Sequence, residues 1–288
     1  MKCTGEGAIA VIITLLCRIS DQYKPVFLLH GVSGNSTVFE HLIERINQAH
    51  PGTVIHNSNA YPDARSLTPL PFQIAGELGE EFRNFSMEYP DGFHFIGFSQ
   101  GSVLSRGLIE SYEEHTVQNY IAISGPMAGQ YGPSSLGNFP LPYQTGFLVF
   151  YNPIVQRAVS ISNYWNDPNH QDLYQMTSIY LPYIDNQVLS SSSESYRRSF
   201  TKLKNLICIG GPQDGVISPW QSSHFSYIQT NGEIINYRER ELYMNDSFGL
   251  RTLDQSGRFH IFEKSDVFHS DWASNDDVID RFILPFLD

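Results

Sequence analysis

The sequence predicts an α/β fold: a mostly parallel, doubly wound sheet with an inserted cap region. Two observations lead there. Apolar runs alternate with amphipathic segments along most of the chain, and the runs are apolar almost throughout, as strands covered on both faces require. The composition agrees. Of 288 residues, 41% are hydrophobic and only 17% charged, enough to bury a large core, while 22 Gly and 16 Pro are too many breakers for a helical bundle or coiled coil.

Taken in order, KPVFLLHG (24–31) reads as a strand, TVFEHLIERINQA (37–49) as a helix, TVIHNSNAY (53–61) as a strand and PFQIAGELGEEFRNF (71–85) as a helix. The cycle repeats with GFHFIGFS (92–99), VLSRGLIESYEEH (103–115) and YIAISGP (120–126). From Met127 to about Phe200 the rhythm breaks into Pro, Tyr, Asn and Ser. An aromatic-rich insertion of this length between strands reads as a lid or pocket wall over 127–200. Strand character resumes at KNLICIGG (204–211) and RFHIFE (258–263), and SNDDVIDRFILPFL (274–287) reads as the last helix. Its Asp276-Asp277 pair suits a solvated first turn, where acids complement the helix dipole.

At the N-terminus, Lys2 precedes an apolar run, Ala8 to Cys17. The run is too short for a bilayer core of about 30 Å but suits a signal peptide, so residues 1–20 are expected to be removed and 21–288 to form one domain. Entry into the secretory route would make the sequons at Asn35, Asn84 and Asn245 glycan acceptors. Cys3 and Cys17 fall within the presumed signal, which leaves Cys208 with no internal disulfide partner. Its place in LICIGG suits a small buried side chain. With 18 Lys and Arg against 30 Asp and Glu, a net charge of −12 argues against nucleic acid as a partner. No metal-ligand spacing and no phosphate-binding glycine motif occurs, so neither metal nor nucleotide cofactor is implied, and no integral membrane span is expected. Oligomeric state is not legible.

The chemistry gathers at Gly97-Phe98-Ser99-Gln100-Gly101, which follows an apolar strand and precedes a helix. That is the context of a nucleophile elbow, in which flanking glycines let a sharp turn expose the serine. A serine hydroxyl needs a base to take its proton and an acid to orient that base. In an α/β-hydrolase, the fold that carries this elbow, the chain order is Ser, acid, His. Asp214 lies on the loop just beyond LICIG. Of the later histidines, His224 is expected to begin a helix close to that loop and His260 lies within a strand. His269, on the loop VFHSDW, is the candidate base. The oxyanion of an acyl-transfer intermediate needs two fixed donors: the N–H of Gln100 and, from the loop after the first strand, that of Val32. His30 is expected to hold that loop. His94, Trp165, Trp220 and Trp272 read as packing residues.

The segments SQGSVLSRGLI, GPMAGQYG, NYWNDPNHQDLY, IGGPQDGVISPWQSSHF and DSFGLRTL resemble those of palmitoyl-protein thioesterases, nearest to the second, lysosomal type. The likeness runs from about Pro25 to the C-terminus. Carried over onto matching positions, it implies Ser99 as nucleophile, Asp214 as acid, His269 as base, and Val32 and Gln100 as oxyanion amides. It further implies a fatty acyl thioester as substrate, hydrolysed in the lysosome after transit through the secretory pathway, with secretion as the other destination. The chain departs from the family in lacking the disulfide cysteines of vertebrate-like members and in reading HGVSGN where the oxyanion loop varies. Two rival readings use the same scaffold: a lipase or carboxylesterase acting on oxygen esters, and a catalytically silent lipid-binding protein. The mark of the latter would be a lost triad member, and none is lost.

Overall fold

The computed structural model describes residues 23–133 and 143–288. The segment read as a signal peptide, with Cys3 and Cys17, lies outside them. Five strands, β1 (Val26–Leu29), β2 (Ile55–Ser58), β3 (Phe93–Phe98), β4 (Val117–Ile123) and β5 (Asn205–Gly210), lie in one sheet. A short antiparallel pair, β6 (Tyr227–Ile228) and β7 (Ile234–Ile235), stands apart, and β8 (Phe259–Glu263) completes the main sheet in the order β2-β1-β3-β4-β5-β8. Every neighbouring pair in that sheet is parallel, so the expected sheet is present.

Alternation along the strands divides the core in two. Phe27 and Leu29 of β1, Phe93 and Phe95 of β3 and Cys208 of β5 face one side. Val26, Leu28, Ile96, Ile121 and Ile209 face the other. The second side is covered by α1 (Glu40–Ala49), through Leu42 and Ile46, and by the C-terminal segment, through Val278, Ile279 and Ile283. Against the first side pack α3 (Glu77–Glu88) and α4 (Gln100–Ser111), with α2 (Leu70–Ala75) preceding α3. The chain runs from β1 outward to β2 and then returns to β3 on the opposite flank of β1. That reversal opens a crevice at the C-terminal ends of β1 and β3.

Three local expectations differ from the structure. The helix read over 71–85 is two helices, broken at Gly76, where φ −104° and ψ −144° leave the helical region. The last helix holds α-form only over Asp276–Val278, then widens into a π turn over Ile279–Ile283 and tightens at Leu284–Phe286. Pro285 lacks the N–H a regular ladder would need. His224 ends the single turn Trp220–His224 instead of beginning a helix. The acidic pair lies on the surface in the first turn of the last helix, as expected, where Asp276 meets His41 at 2.8 Å and Asp277 meets Lys264 at 2.9 Å.

Between β4 and β5 the described part of the insertion is a series of short helices, the longest being α5 (Gln171–Thr177) and α6 (Ser193–Phe200). Its aromatic residues are mostly interior: Phe150, Tyr151, Tyr164, Trp165, Tyr174 and Tyr180 are all buried in the main core cluster. Within the described residues no helix is long and apolar enough to cross a membrane.

Candidate active site

Ser99 sits on the turn from β3 into α4 with φ 56° and ψ −127°, a region that costs a side-chain-bearing residue of order 1–3 kcal/mol and persists only where the surroundings enforce it. Here they do. The Ser99 N–H donates to the carbonyl of Ile123 on β4 at 2.9 Å, and the flanking glycines admit close backbone approach. A Cβ on Gly97 would come within 2.7 Å of Gly101 O, Ser102 Cα and Ser105 Oγ, and one on Gly101 would collide with the carbonyl oxygens of Leu29 and His30.

Three sequence-distant side chains meet at the sheet's C-terminal edge. His269 Nε2 lies 2.9 Å from Ser99 Oγ, and its Nδ1 lies 2.9 and 3.0 Å from the two carboxylate oxygens of Asp214. The His269 backbone N–H donates to the carbonyl of Asp214 at 3.0 Å, which joins the two loops directly. Asp214 is buried and accepts further hydrogen bonds. The N–H groups of Val216 and Ile217 reach Oδ1 at 3.0 and 2.7 Å, the indole of Trp272 reaches Oδ2 at 2.7 Å, and the hydroxyl of Ser124 donates to Oδ2 as well. Burial works to raise the pKa of Asp214, but the hydrogen bond and charge of His269, with Ser124 and the Ile217 amide, outweigh it and hold the carboxyl below the usual aspartate range.

Ser124 and Trp272 were not legible as site residues. Ser124 is the first residue past β4, with φ 44°, between the strand that leads to Ser99 and the strand that leads to Asp214. Its position at the C-terminal edge was the available signal. Trp272 is fully buried, as a packing residue would be, yet its one polar atom is spent on Asp214.

Val32 is half-buried and lines a cavity of about 90 Å³ together with Gly31, Gly34, Val38, Phe98, Ser99 and His269. The loop that carries it is pinned: Ser33 N–H donates to Ser66 Oγ at 2.7 Å, and Asp63 N–H to Gly34 O at 2.7 Å. The His30 ring lies between the carbonyls of Gly31 (2.9 Å) and Ala60 (3.2 Å). Gln100 opens α4, so its N–H is one of the first-turn donors without an intrahelical acceptor. The Gln100 side chain is buried and locked. Its Nε2 donates to Ser66 O at 2.8 Å, and its Oε1 accepts from Ser160 Oγ at 2.7 Å and Tyr164 OH at 3.2 Å. One side chain thus ties the elbow to Ser66, which holds the loop of Val32, and to the insertion.

The other candidates lie elsewhere. His224 is buried and held down to about 4 by desolvation, and His260 meets Asn205, at the opposite end of β5 from Asp214, at 3.0 Å. Cys208 is fully buried, and desolvation pushes its thiol well above the ordinary range. Asn84 and Asn245 are exposed, whereas Asn35 caps a helical turn, accepting from Thr37 N–H at 3.0 Å and donating to Asp63 at 3.0 Å. Among the described residues no group of three or more His, Cys, Asp or Glu could hold a metal ion.

Six parallel strands in this order, a strained serine between two glycines, and a histidine and aspartate aligned behind it define an α/β-hydrolase. A solved monoacylglycerol lipase from Paleococcus ferrophilus shares the fold, with a TM-score of 0.50 and 17% identity over 92% of this chain and 95% of that one. The family model for palmitoyl protein thioesterase matches residues 25–269, and the chain belongs to that family. Similar relatives include the lysosomal thioesterase PPT2 homolog of Drosophila melanogaster, 38% identical over the whole of both chains, and human lysosomal thioesterase PPT2, 36% identical over 92% of this chain and 88% of that one. Palmitoyl-protein thioesterase 3 of Dictyostelium discoideum is 30% identical over 98% of each.

Proposed function

We propose that this protein hydrolyses long-chain fatty acyl thioesters through an acyl-enzyme on Ser99. The observation that carries the reading is the alignment of His269, with Nε2 on Ser99 Oγ and Nδ1 on Asp214, in a chain whose relatives are thioesterases by name. Ser99 Oγ attacks the acyl carbonyl carbon while its proton passes to His269 Nε2. Asp214, kept ionised, stabilises the imidazolium that forms. The N–H groups of Val32 and Gln100 receive the charge on the carbonyl oxygen. Collapse of the tetrahedral intermediate breaks the carbon–sulfur bond and expels the thiolate, which takes the proton from His269. A water molecule then gives its proton to His269 and attacks the acyl carbon, releasing the fatty acid and restoring Ser99.

The cavity at Ser99 is apolar and small, suited to the reacting carbonyl and the first carbons of the tail. The remainder of the tail would run beneath the 127–200 insertion, which acts as the cap in this reading, each buried methylene contributing about 0.8 kcal/mol. The relatives' names favour a lysosomal location, reached through the secretory route by the leader at 1–20, with glycans at Asn84 and Asn245 and, beside the site, at Asn35. Glycosidase treatment of the secreted or lysosomal protein should lower its mass.

An oxygen-ester lipase or carboxylesterase would use the same three side chains, and the intact hydrogen-bonded chain weighs against a silent lipid-binding role. Turnover of palmitoyl-coenzyme A, palmitoylated peptide and matched oxygen esters across pH 4 to 8 separates these readings. Preferential cleavage of the thioesters is expected. Turnover confined to oxygen esters would replace the thioesterase reading, and turnover of neither would favour the silent one.

A further inference from the structure

Among the described residues two arginines are buried, and they are provided for very differently. Arg106 on α4 is fully enclosed, and its charge is met: Nε donates to Glu110 at 2.7 Å, Nη1 to Asp185 at 2.7 Å and Nη2 to Ile184 O at 2.8 Å, with the ring of Phe248 4.0 Å away. Arg240, 9% exposed, has no carboxylate within ion-pair distance among the described residues. Its hydrogen bond is to the carbonyl of Phe225 at 2.7 Å, and its guanidinium lies 5.3 Å from the ring of Tyr227. Asp185, bonded to Arg106, acts on Arg240 only from beyond ion-pair distance, and burial outweighs its pull, so the guanidinium lacks a direct partner.

Arg240 also lines a cavity of about 390 Å³, formed by α5, the Asn186-Gln187 turn, β6 and the segment around residues 240–247. None of its lining residues borders the Ser99 cavity. The walls carry Asn166, Gln171, Asn186, Gln187 and Tyr227, and Glu241, on the exposed rim, leaves Arg240 unpaired. The amide of Asn186 is oriented by two carbonyls, since its Nδ2 donates to Ser193 O and Ser247 O at 2.9 Å each. Its Oδ1 is thereby left as an acceptor with no donor, and Gln187 Oε1 is in the same condition. The cavity thus has a guanidinium without a direct ion pair and unmet acceptors together. An anion satisfies the first and hydroxyl groups, directly or through water, satisfy the second.

We propose that this cavity is a second ligand site, distinct from the Ser99 site, which binds a small hydroxyl-bearing anion, such as a sugar phosphate or sugar acid, with Arg240 as its charge anchor. The charge of the whole chain is −12, so an arginine without an ion pair on an open cavity is selective for anions that the rest of the surface repels. Occupancy supplies the direct counter-ion that Asp185, bonded to Arg106, does not.

The test is calorimetric titration of the purified full chain with glucose 6-phosphate, glucuronate, glucose and inorganic phosphate. At least one hydroxylated anion should bind saturably, more tightly than inorganic phosphate, and glucose should not bind; comparison of the first two tells a phosphate from a carboxylate ligand. Arg240→Gln should weaken binding about tenfold or more. Gln175→Glu, at an exposed wall position, should weaken it roughly threefold by repulsion. Ser99→Ala should bind as wild type does. Absence of saturable binding by both hydroxylated anions, binding no tighter than that of inorganic phosphate, wild-type affinity in Gln175→Glu, or loss of binding in Ser99→Ala would each overturn the proposal.

Discussion

Trp272 donates its indole N–H to Asp214 Oδ2 at 2.7 Å, the same oxygen that accepts from Ser124 and lies 2.9 Å from His269. The carboxylate that orients His269 is therefore itself oriented, by a side chain on the loop that carries His269. A ligand-like hydrogen bond of this kind fixes geometry as well as charge.

Trp272→Phe keeps most of the ring and removes that donor. A lost hydrogen bond to a buried charge costs about 1.5–3 kcal/mol, and the Asp214 carboxyl should move up toward the ordinary aspartate range. Because the folded-state value is depressed, this stabilisation is fully present above the unfolded aspartate value and is lost only as pH falls through the folded one. The mutant should therefore be less stable at both pH 7 and pH 5, and the acid limb of its kcat profile should move to higher pH. An unchanged acid limb would mean that Trp272 only packs.

Gln100→Ala leaves the backbone N–H of residue 100 in place but cuts its side-chain ties to Ser66, Ser160 and Tyr164. If those ties place the elbow against the oxyanion loop, kcat should fall about tenfold or more with little change in KM, since the interaction acts in the transition state. A rise in KM alone, in steady-state kinetics on palmitoyl-coenzyme A, would assign Gln100 to substrate binding instead.

Acid stability follows from three enclosed histidines. Desolvation lowers His94, His115 and His224 each to about 4. Their unfolded value is about 6.5, so between these limits the unfolded chain binds more protons than the folded one. Stability is then complete above about pH 6.5 and declines as pH falls toward 4, by up to about 1 kcal/mol per pH unit for each histidine. Both ring nitrogens of His94 lack partners, so His94→Leu should raise the urea midpoint, and more at pH 5 than at pH 7. An equal gain at both pH values would assign the effect to packing alone.

The strands were legible because burial on both faces leaves an apolar run that no local detail disturbs, as in Val26–Leu29 and Asn205–Gly210. Ser99, Asp214 and His269 could be named because each follows a strand in an order the fold prescribes. The split at Gly76 and the wide turn before Pro285 were missed since apolar periodicity continues through both. Ser124 and Trp272 carry no motif. Their meaning depends on which strands are neighbours, β3 beside β4 beside β5, and that order is a property of the whole sheet. Helices such as Gln171–Thr177 are too short for a period to be read from sequence. The lack of a direct ion pair at Arg240 is likewise visible only once the carboxylates of the described residues are placed.

The most direct measurement is hydrolysis of palmitoyl-coenzyme A by wild type, Ser99→Ala and His269→Gln, with intact-mass detection of a fluorophosphonate adduct. Wild type should turn over and gain one adduct; Ser99→Ala should lose both, and His269→Gln should lose roughly 10³-fold or more in kcat and label slowly. Wild-type turnover by folded Ser99→Ala would contradict the account, because no hydroxyl at that position would then be needed to break the thioester.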